Sequence, residues 1–115
     1  MFKKLRTVIY HVTDLAAAKK WYTEITGLAP YFDEPFYVGF DINGSELGLD
    51  PDMAGVTEGN HVFNYWSVDD IEASFHKLID KNAAVIQPIT DVGGGMKVAV
   101  LKDPWGNAVG LIEGA

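Results

Sequence analysis

Two blocks of residues recur in the same order within this chain, and the repeat restricts its fold more than any other feature. Val12, Asp14, Leu15 and Ala17 recur 56 positions on as Val68, Asp70, Ile71 and Ala73. Asp41, Gly44, Leu47, Gly48 and Leu49 recur 62 positions on as Asp103, Gly106, Val109, Gly110 and Leu111. The longer second interval is absorbed around Gly93, Gly94 and Gly95, where added loop length costs little. One supersecondary unit is therefore present twice.

The local pattern says what that unit is. Residues 7–12 (TVIYHV) are β-branched and aromatic, which suits a strand. Thr13 and Asp14 supply N-cap chemistry, Leu15, Ala18, Tyr22 and Ile25 recur at helical spacing, and Gly27 stops the helix. Strands are expected at 29–32 and 36–42. Asn43-Gly44 then predicts a tight hairpin returning through 45–49. The second copy repeats the order, with a strand at 62–67, a cap at Asp69-Asp70 and a helix ending near Asn82. Strands at 84–88, 96–101 and 108–112 complete it, the last two joined by Asp103-Pro104-Trp105-Gly106-Asn107. The expected fold class is α+β: two tandem βαβββ modules forming a curved mixed sheet around a central cavity. Module one spans about residues 5–50, a polar linker about 51–60, and module two about 61–113.

The 115 residues suit one compact domain of two such modules. Nine Lys and Arg stand against 16 Asp and Glu, a formal charge of −7, so binding to a phosphate backbone is not expected. Cysteine is absent, which excludes disulfides, thiolate nucleophiles and Cys-ligated zinc. The N-terminal apolar run is broken by His11, and no segment approaches the roughly 20 apolar residues that span a bilayer. A cytoplasmic protein without membrane contact is the expectation.

The stretch HVTDLAAAKKWYTEITGL after a strand, with the terminal DPWGNAVGLIE, resembles the vicinal oxygen chelate superfamily. That superfamily includes glyoxalase I, extradiol dioxygenases, and fosfomycin- and bleomycin-resistance proteins, and the resemblance covers essentially the whole chain. It implies paired βαβββ modules around a cup, usually in a homodimer. In metal-dependent members, His, Glu or Gln side chains from the first and last strand of each module hold a divalent ion. Carried onto this sequence, those positions are Thr7, Gly48, Phe63 and Gly110. Glycine and phenylalanine offer no donor, and threonine alone is a poor ligand. The resemblance thus points to a member without a metal cofactor, and the Lewis-acid chemistry of its relatives is not expected.

Strand alternation lists what would face the cup. Thr7 inward brings Ile9 and His11; Gly48 inward brings Glu46 and Asp50. Phe63 inward brings His61, Tyr65 and Ser67, and Gly110 inward brings Ala108 and Ile112. Thr7, Ile9, His11, Glu46, Gly48, Phe63, Tyr65 and Gly110 are the candidate ligand-binding residues, a mostly apolar set with a few directional polar groups. Each has a plainer role open to it. Phe63 and Tyr65 can fill a core, His11 can be structural, and Glu46, just past the turn, can be solvated. Trp21, Tyr22 and Trp66 read as packing residues, and Trp105 as a turn residue at a rim or dimer contact. Residues 93–95 lack the Lys and Ser/Thr of a phosphate loop and read as a hairpin connection or lid.

Besides a ligand-sensing or interaction subunit with an unoccupied cup, two functions remain open. One is a metal-free protein that binds a small organic molecule, similar to bleomycin-resistance proteins, in which an acidic surface favours a cationic drug. The other is a glyoxalase-like or dioxygenase-like enzyme using a displaced metal or acid–base chemistry through His11 or Glu46.

Overall fold

The computed structural model describes residues 1, 3–54, 56 and 63–114. The chain divides into two compact units. The first contains β1 (Thr7–His11), α1 (Leu15–Thr26), β2 (Phe32–Glu34), β3 (Tyr37–Ile42) and β4 (Ser45–Asp50). The second contains β5 (Tyr65–Ser67), α2 (Ile71–Asp80), β6 (Ala84–Gly93), β7 (Met96–Lys102) and β8 (Ala108–Glu113). Each is a βαβββ unit, as the repeat requires.

The two sheets share one topology. Their strand orders are β1-β4-β3-β2 and β5-β8-β7-β6, with the first strand parallel to the last and the remaining pairs antiparallel. Neither sheet closes into a barrel. The helix between the first two strands lets the chain return beside its own first strand in parallel register.

In the first unit, Tyr10, Val12, Val38, Phe40, Leu47 and Leu49 are buried together with Ala18 and Tyr22 of α1. The five that lie in strands, Tyr10, Val38, Phe40, Leu47 and Leu49, have the same parity across paired positions, so they form one face of the sheet, and Val12 follows directly after β1. The Tyr10 and Tyr22 rings meet at 5.8 Å across this layer. In the second unit, Ala99, Leu101, Val109 and Leu111 are buried with Ile71 and Leu78 of α2. Removing such side chains from water stabilises by roughly 1.5–3 kcal/mol each, which holds each helix against its sheet.

The repeated aspartates are explained by the ends they organise. Asp14 and Asp70 cap their helices, accepting from the Ala17 and Ala73 amides at 3.0 and 3.2 Å. The Ile71 amide finds a further acceptor in Glu113 at 2.9 Å. Asp41 accepts from the Gly44 amide at 2.9 Å, where Asn43 and Gly44 both take positive φ. Its counterpart Asp103, 3% exposed, accepts from the Trp105 and Asn107 amides and from the Asn107 side chain. Asp14→Ala is expected to lower stability by about 1 kcal/mol, the usual value of an N-cap. Thermal melting should register this as a drop of a few degrees.

Several boundaries differ from expectation. The strand expected at 29–32 lies instead at Phe32–Glu34, because the chain registers on β3 through Phe32 opposite Gly39. The strand expected at 84–88 continues to Gly93, and three register shifts let it follow β7. Gly93, Gly94 and Gly95 all take positive φ in the β6–β7 turn, which selects the hairpin connection over a lid. The helix expected to run near Asn82 ends at Asp80, and Asn82 takes a φ of 71° beyond it. Of the strand expected at 62–67, only Tyr65–Ser67 forms among the described residues, with Phe63 and Asn64 preceding it; Val62 lies outside the described residues, as does the candidate His61.

Candidate functional site

The Asn43-Gly44 hairpin sets the register of the first sheet and so decides which side chains stand on the face away from α1. Glu46 pairs with Thr7 and with Asp41, Gly48 with Ile9 and with Gly39, and Asp50 with His11. Thr7, Ile9, His11, Glu46, Gly48 and Asp50 therefore share the open face, joined by Tyr37, Gly39 and Asp41 of β3. Ile9 is 47% exposed there.

Glu46 is the centre of that face. Tyr37 donates its hydroxyl to Glu46 Oε2 at 2.6 Å, and Tyr31 donates its hydroxyl to Oε1. Both carboxylate oxygens are thus engaged by phenols. Arg6 lies 4.0 Å from Oε2 and donates to Thr7 Oγ1 at 2.8 Å. The Glu46 side chain is only 11% exposed, so the solvated carboxylate allowed by its place after the turn is not what forms. Two aromatic rings cover it.

The glycines make this arrangement possible. A Cβ built at Gly48 would overlap the Tyr37 hydroxyl and lie 2.5 Å from Cζ and 2.9 Å from Cε1 of the same ring. Tyr37 thus occupies the volume that a side chain at position 48 would need. Gly39, the cross-strand partner of Gly48, is also confined, since its Cβ would lie 3.3 Å from Glu46 Oε1 and from Tyr31 Cε1. In the second unit, Gly110 pairs with Tyr65 of β5 and Val100 of β7. A Cβ there would collide with the Asn64 carbonyl and lie 2.7 Å from Tyr65 Cδ1. In both units the glycine of the last strand lies beneath a tyrosine ring.

The other candidates are placed as follows. His11 is turned to the strand end, where Nδ1 donates to the Asp52 carbonyl at 3.0 Å. Phe63 and Tyr65 are each 43% exposed and so do not fill the core of the second unit. Trp66 pairs with Leu111 on the opposite, helix-covered face, in keeping with its parity. Tyr22 is fully buried, and Trp21 packs edge-on against it at 4.8 Å. The residues sequence reasoning passed over are Tyr31, Tyr37, Arg6 and Gly39. Parity from the hairpin was the available signal, because Tyr37 has the same parity as Gly39 and stands one diagonal step from Gly48.

Tyr37 is a perturbed acid on this face. Burial raises the Tyr37 phenol above the ordinary tyrosine value near 10, the Asp50 carboxylate adds to this, and Arg6 opposes it. The neutral phenol is therefore favoured in the folded state. Its contribution to stability is fully present below pH 10 and is lost as pH rises through the raised value. Tyr37 should ionise late in an ultraviolet phenolate titration, and Tyr37→Phe should remove its contribution to the late absorbance rise.

The positions at which the resemblance implies metal ligands in metal-dependent members are Thr7, Gly48, Phe63 and Gly110. The donor set does not fit a metal: two positions have no side chain, one is a hydrocarbon ring, and Thr7 already accepts from Arg6. Among the described residues, no three His, Cys, Asp or Glu side chains are grouped to hold a metal elsewhere. Nor, among those residues, is any helix long and apolar enough to cross a membrane.

Duplicated βαβββ units of this topology define a class that solved structures share. A glyoxalase/bleomycin resistance protein/dioxygenase family enzyme from Burkholderia phytofirmans PsJN aligns with a TM-score of 0.81 at 19% identity, covering 96% of this chain and 98% of that one. A lactoylglutathione lyase from Agrobacterium tumefaciens aligns with a TM-score of 0.74 at 21% identity, covering 96% and 93%. These likenesses establish the fold. The family follows from sequence: the Glyoxalase/Bleomycin resistance protein/Dioxygenase superfamily model matches residues 4–111, and the chain belongs to that superfamily. It is also 34% identical over 108 residues to the protein named "Putative glyoxylase CFP32" of Mycobacterium tuberculosis, covering 86% of this chain and 41% of that protein. The chain thus spans less than half the length of this curated relative.

Proposed function

We propose that this chain is a small-molecule-binding member of its superfamily that works without a metal cofactor, sequestering a drug or metabolite on the open sheet faces. The observation that carries the reading is the Tyr37 hydroxyl lying in the side-chain volume of Gly48, at a position where the resemblance implies a ligand in metal-dependent members. The open face combines exposed Ile9 with the phenols of Tyr31 and Tyr37 around one carboxylate. That mixture of apolar wall and few directional polar groups suits an organic molecule. Thr7, Ile9, His11, Glu46 and Gly48 in the first unit, and Phe63, Tyr65 and Gly110 in the second, are the proposed lining. The protein acts as a homodimer in this reading, which sedimentation at micromolar concentration tests; a monomer would count against it.

The relatives' names favour a second reading, a glyoxalase-like or dioxygenase-like enzyme. With a phenol donating to each oxygen of Glu46, a proton from substrate would have to go to the lone pair each oxygen has left. A thermal-shift screen of drug-like and metabolite libraries, run with and without a strong chelator, separates the two. Stabilisation by a ligand that survives chelation without turnover supports the binding protein. Turnover that disappears with the chelator supports the enzyme.

A further inference from the structure

The open face of the first sheet has a definite hydrogen-bonding polarity. Carboxylate oxygens only accept, so the Tyr31 and Tyr37 hydroxyls that meet Glu46 must spend their single protons on it. What each phenol oxygen has left is lone-pair capacity. Anything approaching this cluster from the open side therefore meets acceptors.

The surrounding charge has the same sense. Cross-strand register puts Asp41 opposite Glu46 and Asp50 two pairs further along the same face. These three carboxylates stand against the opposing charge of Arg6, whose 71%-exposed side chain lies 4.0 Å from Glu46 Oε2. The apolar part of a ligand has its own place: Ile9 stands exposed opposite Gly48, and the Gly39–Gly48 pair leaves no side chain between Ile9 and the tyrosine rings. A metal centre would present the opposite polarity, attracting electron-rich oxygen atoms. Here an oxyanion would confront Glu46 and the outward lone pairs of two phenols.

We propose that the Tyr31–Glu46–Tyr37 cluster binds the protonated nitrogen of an organic amine, its N–H groups donating to the phenol oxygens and its apolar portion lying against Ile9. This rests on the metal-free binding reading and names the ligand class for that site. The phenols act as relays of the carboxylate's charge. Each donates inward to Glu46 and accepts from the ligand outward, and such chains polarise one another. Aromatic faces beside the cation add to the attraction.

Benzylamine, protonated at neutral pH, and benzoate share one ring and differ in the sign of the headgroup. Titrated separately at low salt into the full chain uniformly labelled with nitrogen-15, they give a direct comparison. Benzylammonium should shift the amide resonances of Gly39, Glu46 and Gly48, and benzoate should leave them in place. Glu46→Gln should weaken benzylammonium binding about tenfold or more, the usual effect of losing one charged hydrogen-bond partner. Tyr37→Phe serves as a second variant and should weaken it less, since Tyr31 and the carboxylate remain. Retained spectral dispersion shows that either variant is folded.

Equal or tighter binding of benzoate, benzylammonium shifts absent from this face, or an affinity indifferent to Glu46→Gln would each overturn the amine assignment. Benzoate binding here without a metal would leave the metal-free reading standing. Binding of either probe only after a divalent ion is added would remove both.

Discussion

Gly110→Ala is expected to destabilise the second unit by about 3 kcal/mol, at the upper end of overpacking costs. The new methyl would be driven into the Asn64 carbonyl and the Tyr65 ring. The Asn64 carbonyl belongs to the backbone and accepts from the Gly110 amide at 2.9 Å, so it cannot retreat without opening that hydrogen bond. Pairing of Tyr65 with Gly110 and Trp66 with Leu111 depends on the same approach, and β5 is only three residues long. The melting temperature should fall by about 10 °C. Hydrogen exchange should show that the loss begins between β5 and β8. A variant as stable as the parent would mean that β5 does not lie this close to β8.

Gly48→Ala addresses the corresponding glycine of the first unit, and here the obstacle can move. The three atoms nearest a Cβ at this site all belong to the Tyr37 side chain. That ring can swing away, but it then gives up its hydroxyl bond to Glu46. A hydrogen bond to a charged group contributes roughly 1.5–3 kcal/mol, so Gly48→Ala should cost about 2 kcal/mol in the parent chain. With Tyr37→Ala already in place the volume is free, and the same change should cost under about 0.5 kcal/mol. The double-mutant cycle should therefore show coupling of about 1.5 kcal/mol. Additive effects would mean that Tyr37 does not occupy the position-48 volume.

How far the sequence discloses this architecture depends on which interactions are local. The repeat was legible because its residues are helix caps, turn aspartates and alternating core positions, all set by neighbours a few residues away. Asp14, Asp41, Asp70 and Asp103 each accept from an amide two to four positions ahead. The facing of β1 and β4 was legible for a related reason, since Asn43-Gly44 sets the hairpin register and parity does the rest. The Tyr31–Glu46–Tyr37 cluster was not. It forms by long rings reaching diagonally across strands, and the ring reach opened by two paired glycines has no signature in spacing. Glu46 illustrates this, because a carboxylate just past a turn is ordinarily solvated, and only the two phenols brought over it from β3 and from the approach to β2 make it otherwise. The shift of β2 to Phe32–Glu34 has the same origin, in register on a partner strand rather than in local preference.

Calorimetric titration of the dialysed wild-type chain with Zn²⁺, Ni²⁺ and Mn²⁺, paired with elemental analysis of the protein as purified, meets the central claim head-on. A phenol where a ligand would stand predicts no saturable heat and no metal retained in proportion to protein. One tightly held divalent ion per chain, lost on Tyr37→Ala or Glu46→Gln, would contradict it.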